Sequence, residues 1–258
     1  MSDIVLSAGV RSNLLQLQQT GTLIQLTQNR LATGKRVNSA LDNPTNYFTA
    51  QGLQSRASDL SSLLDAQSNA IQTIQAANNG LSALTKLVQS AQATARQAQQ
   101  TTDTAERTSL GSQFDDILDQ IDQLAGDSSF NGKNLLTGDS LDVVFNEQGT
   151  SKLTITGVND TTAGDANIQL ALDDLTSALT TLRSQSKSLG SSLSTVQARQ
   201  DFTKATINTL STGADNLTLA DTNEEGANLL ALQTRQQLST TALSIAAQAD
   251  QNVLRLFQ

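Results

Sequence analysis

Asp115, Asp116, Asp119 and Asp122 are the densest set of groups in this sequence that could hold a cation or move a proton. Hard cations take carboxylate oxygens as ligands, and paired carboxylates serve as general acid and base. These four alternate with Phe114, Ile117, Leu118 and Ile121 at helical spacing, so the pattern predicts a solvated helix face. Asp221-Thr-Asn-Glu-Glu-Gly226 offers three more carboxylates but lacks the further ligands of a twelve-residue calcium loop. Acids so placed suit the start of a helix, where they meet the positive end of its dipole. The chain has no His and no Cys, which removes imidazole bases, thiolate nucleophiles and the usual zinc ligands together. There is no glycine-rich phosphate loop. Asn216-Leu-Thr218 has the form of an N-glycosylation acceptor. The sequence predicts no catalytic residue, no cofactor and no metal, and it does not read as an enzyme.

What the chain does carry is periodicity. From Leu172 to Leu210 an apolar ladder runs Leu172, Leu175, Leu179, Leu182, Ser186, Leu189, Leu193, Val196, Gln200, Thr203, Ile207, Leu210. Alternating steps of three and four keep one stripe of a helix facing a partner, the geometry of a coiled-coil seam. At about 1.5 Å per residue the rod is roughly 60 Å long. A fibre subunit or a signalling stalk needs such an element; a compact domain does not.

Other helices follow. Residues 5–33 carry Val10, Leu14, Leu17, Gly21, Ile24, Gln28 and Leu31, with Gly21 and Gln28 as weak rungs, so this helix should depend on packing. Gly34 suits a C-cap and Val37–Pro44 a polar connector, with Pro44 suited to the first turn of the next helix. That helix, 45–100, has the stripe Leu60, Leu64, Gln67, Ile71, Ile74, Asn78, Leu81, Thr85, Val88. Its polar rungs either fix register or face thin parts of an interface. A shorter helix carries Leu110, Phe114, Ile117, Ile121 and Leu124. Leu141–Phe145 and Lys152–Thr156 read as a β-hairpin, Asn159–Asp165 as a polar loop, and 226–256 as a last helix. That helix closes on Val253, Leu254, Leu256 and Phe257, an apolar end unusual for a monomer.

Aromatic residues are 3% of the chain, which favours rods built from Leu, Ile, Val and Ala over a globule. The net charge of −8 is uneven: residues 1–41 carry +3 and residues 216–258 carry −2, so the two ends should attract each other. Four scattered N-terminal bases do not make a nucleic-acid surface. No apolar run reaches membrane-spanning length, and the N-terminus lacks the pattern of a cleaved signal peptide. The expectation is a chain that stays in the cytoplasm or leaves by a route needing neither.

Two segments and a turn carry a resemblance. Arg30-Leu-Ala-Thr-Gly-Lys-Arg-Val-Asn-Ser-Ala-Leu-Asp42 resembles the N-terminal signature of bacterial flagellin. Ala242-Leu-Ser-Ile-Ala-Ala-Gln-Ala-Asp-Gln-Asn-Val-Leu-Arg-Leu-Phe257 is similar to that family's C-terminal run. Phe130-Asn-Gly-Lys-Asn-Leu-Leu136 resembles its turn before the hairpin. The resemblance covers essentially the whole chain. It implies a mainly α fold in which the terminal helices pair as an inner coiled coil, with long helices and a small β-hairpin forming a rod. The inner layer is expected at 1–41 and 216–258, and the rod at 42–215. Asn43-Pro44-Thr45 replaces a common Asp-Ala-Ala run, and Leu84–Gln92 lacks the arginine-leucine-glutamate patch read by an animal immune receptor.

The function so implied is an extracellular subunit that polymerises with itself into the flagellar filament for swimming, exported without a cleaved signal. Hook-junction and cap proteins, an export chaperone and the flagellar export apparatus would be its partners. The polymerisation interface is expected at Leu14, Leu17, Ile24, Leu31, Leu238, Ile245, Val253, Leu254, Leu256 and Phe257, and the connector, or spoke, at Gly34, Arg36, Asn38, Asp42 and Pro44. A hook–filament junction protein and a cytoplasmic coiled-coil signalling adaptor are the alternatives.

Overall fold

A computed structural model of the chain describes residues 8–158 and 168–256, apart from the side chains at 168, 250 and 253–256. The predicted 159–165 loop and Phe257 lie outside the described residues. Five helices and one hairpin follow in the order α1 (Ala8–Thr33), α2 (Pro44–Gln100), α3 (Thr104–Asp127), β1 (Ser140–Val144), β2 (Lys152–Thr156), α4 (Ile168–Thr218) and α5 (Thr222–Leu256). The chain divides into two compact units, one from Met1–Ser55 with Leu210–Gln258, the other Arg56–Thr209.

The 56–209 unit has the apolar core. Ile71, Ile74, Leu81, Leu84 and Val88 of α2 join Ile121 and Ala125 of α3, Val143 and Ile155 of the hairpin, and Leu175, Leu182, Leu189 and Val196 of α4 in one buried cluster. All twelve rungs of the 172–210 ladder are buried or half-buried. One polar rung of α2 meets a partner on α4, with Ser186 Oγ donating to Asn78 Oδ1 at 3.0 Å, and past the stripe Gln92 Nε2 donates to Thr176 Oγ1 at 3.1 Å. A polar pair in an apolar seam opposes a slip of one helix along the other, because slipping would leave both groups buried and unpaired. Gln67 is fully buried and reaches the hairpin instead, its Nε2 donating to the Val144 carbonyl at 3.4 Å.

The hairpin pairs antiparallel with Leu141 opposite Ile155 and Val143 opposite Leu153. Alternate residues turn to opposite faces, so Val143 and Ile155 enter the core while Asp142 and Thr154 stay in solvent. α3 opens on Asp103, whose carboxylate accepts the Ala105 N–H at 2.8 Å as an N-cap. Asp115, Asp116, Asp119 and Asp122 lie on its exposed side, as helical spacing predicts.

In the other unit α1 and α5 pack together. The α1 seam differs from the predicted one. Val10, Thr20, Ile24 and Thr27 are its buried residues. Val10, Leu17, Ile24 and Leu31 keep their places, but Thr20 and Thr27 replace Gly21 and Gln28, and Leu14 is 38% exposed. Thr20 can enter because its hydroxyl donates to the Gln16 carbonyl at 2.8 Å and so carries no unsatisfied donor inward.

Candidate functional site

α1 and α5 run antiparallel, since the last turns of one meet the first turn of the other. There Arg30 Nη1 donates to Glu225 Oε1 at 2.9 Å. Glu225 is 7% exposed, and it is the one residue of α5 that is fully buried among the described residues. Arg30 Nε is buried without a hydrogen-bond partner. This long-range pair realises the attraction between a basic N-terminal and an acidic C-terminal segment; no local pattern marks its two members. Asp221 Oδ1 accepts the Asn223 and Glu224 N–H groups at 2.9 and 3.2 Å, so the predicted acidic start of α5 is a helix cap.

One partly buried ion pair and a partly polar seam leave much apolar surface uncovered. Leu15, Leu23 and Leu26 of α1 are 60%, 46% and 37% exposed, and Leu230, Leu238 and Ile245 of α5 are 67%, 66% and 62% exposed. Residues 230, 238 and 245 are spaced by about two helical turns each and share a side of α5. Of the expected interface residues, Leu14, Leu238 and Ile245 lie in solvent, Leu17 and Leu31 are half-buried, and Ile24 is buried in the pair. The side chains of Val253, Leu254 and Leu256 fall outside the described residues, with Phe257.

The connector is built from backbone hydrogen bonds. Gly34 has φ 67°, a left-handed conformation that glycine adopts at little cost, as expected of a C-cap. The Arg36 and Val37 N–H groups donate to the Thr218 carbonyl at 2.8 and 3.2 Å, and the Ala220 N–H donates to the Gly34 carbonyl at 3.0 Å. The chain leaving α1 is thus tied to the junction of α4 and α5. Asn38 Nδ2 reaches back to the Lys35 carbonyl at 3.1 Å. The Ser39 and Asn38 N–H groups donate to Asp42 Oδ2 at 2.9 and 3.0 Å, and these bonds hold its carboxyl below the usual 3.8. Pro44 is the first residue of α2, where its missing N–H costs nothing.

Residues 7–140 match the bacterial flagellin N-terminal helical region and residues 172–257 the bacterial flagellin C-terminal helical region. The chain belongs to the bacterial flagellin family. It is 30% identical to flagellin FljK of Caulobacter vibrioides, with 100% of this chain and 99% of that one covered. Flagellin of Brucella melitensis biotype 1 is 26% identical, with 100% of both chains covered. In fold, the crystal structure of Bacillus cereus flagellin superposes with a TM-score of 0.50 at 17% identity, covering 54% of this chain and 88% of that one.

Flagellins are structural proteins, and this chain is a subunit that polymerises with itself into the extracellular flagellar filament. Of the roles set out from the sequence, the matches support the filament subunit. No helix among the described residues is long and apolar enough to cross a membrane.

Proposed function

We propose that the α1–α5 pair is the layer through which flagellin subunits join, with 1–41 and 216–258 as its halves and 42–215 as a rod. The observation that carries this reading is the uncovered apolar surface of the pair. Leu14, Leu238 and Ile245 would meet neighbouring subunits, while Leu17, Ile24 and Leu31 build the pair that presents them. Val253, Leu254, Leu256 and Phe257 continue the apolar sequence toward the carboxyl end and join the interface in this reading. Fully burying one such side chain is worth about 1.5–3 kcal/mol, against an ordering cost of about 1–2 kcal/mol per residue. Two helices alone bury too little to offset that cost; several copies together bury enough. Family membership extends the reading to hook-junction and cap proteins at the filament ends, an export chaperone and the flagellar export apparatus.

The double variant Leu238→Asp with Ile245→Asp tests the interface. Both positions are exposed in the single chain, so the helix content of the monomer should hold in circular dichroism. Each charge buried without a partner costs several kcal/mol in the polymer, so electron microscopy should find no filaments. Filaments of normal length from this variant would remove α5 from the interface.

A further inference from the structure

Leu41 is 96% exposed, more than any other large apolar side chain among the described residues. Slack chain does not explain this. The carboxylate of Asp42 accepts from the N–H groups of Asn38 and Ser39 and from Ser39 Oγ, the last at 3.2 Å. The Leu41 N–H donates to Ser39 Oγ at 3.3 Å, and the Asp42 N–H donates to the Ser39 carbonyl at 3.2 Å. On one side the loop is tied to Thr218; on the other Pro44 opens α2. Leucine's side chain takes no part in any of these bonds, so the loop that displays it does not require it.

Single exposed leucines are common on soluble surfaces. One displayed on fixed backbone differs, because the freedom that binding would remove is already gone. It also has apolar company in the same unit. Phe48, in the second turn of α2, is 62% exposed, with the Tyr47 ring edge-on at 5.5 Å. Leu219, bridged to Lys35 at the start of the connector, is 49% exposed.

We propose that Leu41, with Phe48 seven residues further on, is a docking knob that is buried against a second copy of this chain in the filament. A second copy is the occupant because the chain polymerises, and the connector continues directly from the α1–α5 surface proposed above. Asp42 leaves a polar companion: its loop bonds all fall on Oδ2, so Oδ1 can accept from a donor on the neighbour. The inference rests on the self-assembly reading but concerns a different place from Leu238 and Ile245.

The absence of cysteine makes every engineered thiol the only one in the chain. Leu41→Cys and Ile245→Cys, made separately, are labelled with a maleimide as monomer and as filament. We expect both thiols to react at least tenfold more slowly in filaments. Protection at 245 with the monomer rate at 41 overturns the knob and leaves the α5 interface standing. Protection at 41 alone keeps the knob and overturns the α5 interface, and the monomer rate at both overturns the two together. A companion variant, Leu41→Ser, should raise the critical concentration for assembly about tenfold or more, while Leu41→Met should stay near the parent. If Leu41→Cys blocks assembly with an unchanged circular dichroism spectrum, that also supports the knob. An unchanged critical concentration for Leu41→Ser counts against it.

Discussion

Asn134, in the turn after α3, shows how one side chain can close two elements at once. Its Nδ2 donates to the carbonyls of Ala125 and Gly126 at 2.8 and 2.9 Å, which the end of α3 would otherwise leave unpaired. Its Oδ1 accepts the Leu136 N–H at 2.9 Å, and its own N–H donates to Asp139 Oδ2 at 2.8 Å. The residue is 7% exposed, so water cannot replace these bonds. Asn134→Ala should therefore lower the stability of the 56–209 unit by about 2–3 kcal/mol. Asn134→Asp should be nearly as costly, because a carboxylate would face the two carbonyls. Urea denaturation followed by circular dichroism measures both; a loss below about 0.5 kcal/mol in each would show that the turn is held elsewhere. Gly157 is constrained nearby for a steric reason, since a Cβ there would sit 2.2 Å from the Asp139 carbonyl oxygen.

At the scale of elements, a two-stranded hairpin is at best marginal alone, and this one is held by clamps as well as by Val143 and Ile155. Arg56 Nε donates to Glu147 Oε1 at 2.6 Å, Gln67 reaches Val144, and the Arg199 guanidinium lies 5.4 Å from the centre of the Phe145 ring. Glu147 has its carboxyl held below the usual 4.5, first by its own backbone N–H and then by Arg56. A carboxyl lowered on folding stabilises the fold above its unfolded value and ceases to do so as pH falls through the lower folded value. Acidification below the usual 4.5 should therefore loosen the hairpin clamp as Glu147 takes up its proton. With Arg56 59% exposed, the contribution is at most about 1 kcal/mol. Glu147→Gln should melt at a slightly lower temperature than the parent at pH 7, and the gap should close once acid has protonated Glu147 in the folded parent. A gap that persists or widens in acid would assign the clamp to something other than the ionised carboxylate.

For the whole molecule, the contrast between the units sets the expected behaviour of the monomer. The 56–209 unit has a shared apolar core, whereas the α1–α5 pair buries a partly polar seam. Thin packing means a low cost of local opening. Limited proteolysis of dilute monomer should remove most of α1 and α5 and leave a fragment near 45–215. The same protease acting on filaments should leave the ends intact, because neighbouring copies then supply the missing partners. Equal resistance of the ends and the middle in dilute monomer would mean that the pair is stable by itself and that assembly does not order it.

The sequence by itself determined the elements. A 3-4 ladder at 172–210, apolar at nine of its twelve rungs, admits one helix face, and period-two patterning around Gly149 admits one hairpin; both stand where they were expected. Glycine at 34, proline at 44 and aspartate at 221 punctuate helix ends for reasons local to a few residues of chain. Tertiary structure alone decided which side of a weak helix turns inward. In α1, the steps 10-14-17-21-24 and 10-13-17-20-24 share Val10, Leu17 and Ile24 and differ only in the rungs between, so periodicity cannot choose. The position of α5 chose the second, drawing in Thr20 and leaving Leu14 and Leu23 outside. Arg30 and Glu225 found each other on the same terms, 195 residues apart, because a long-range ion pair depends on where two helices meet and on nothing local to either.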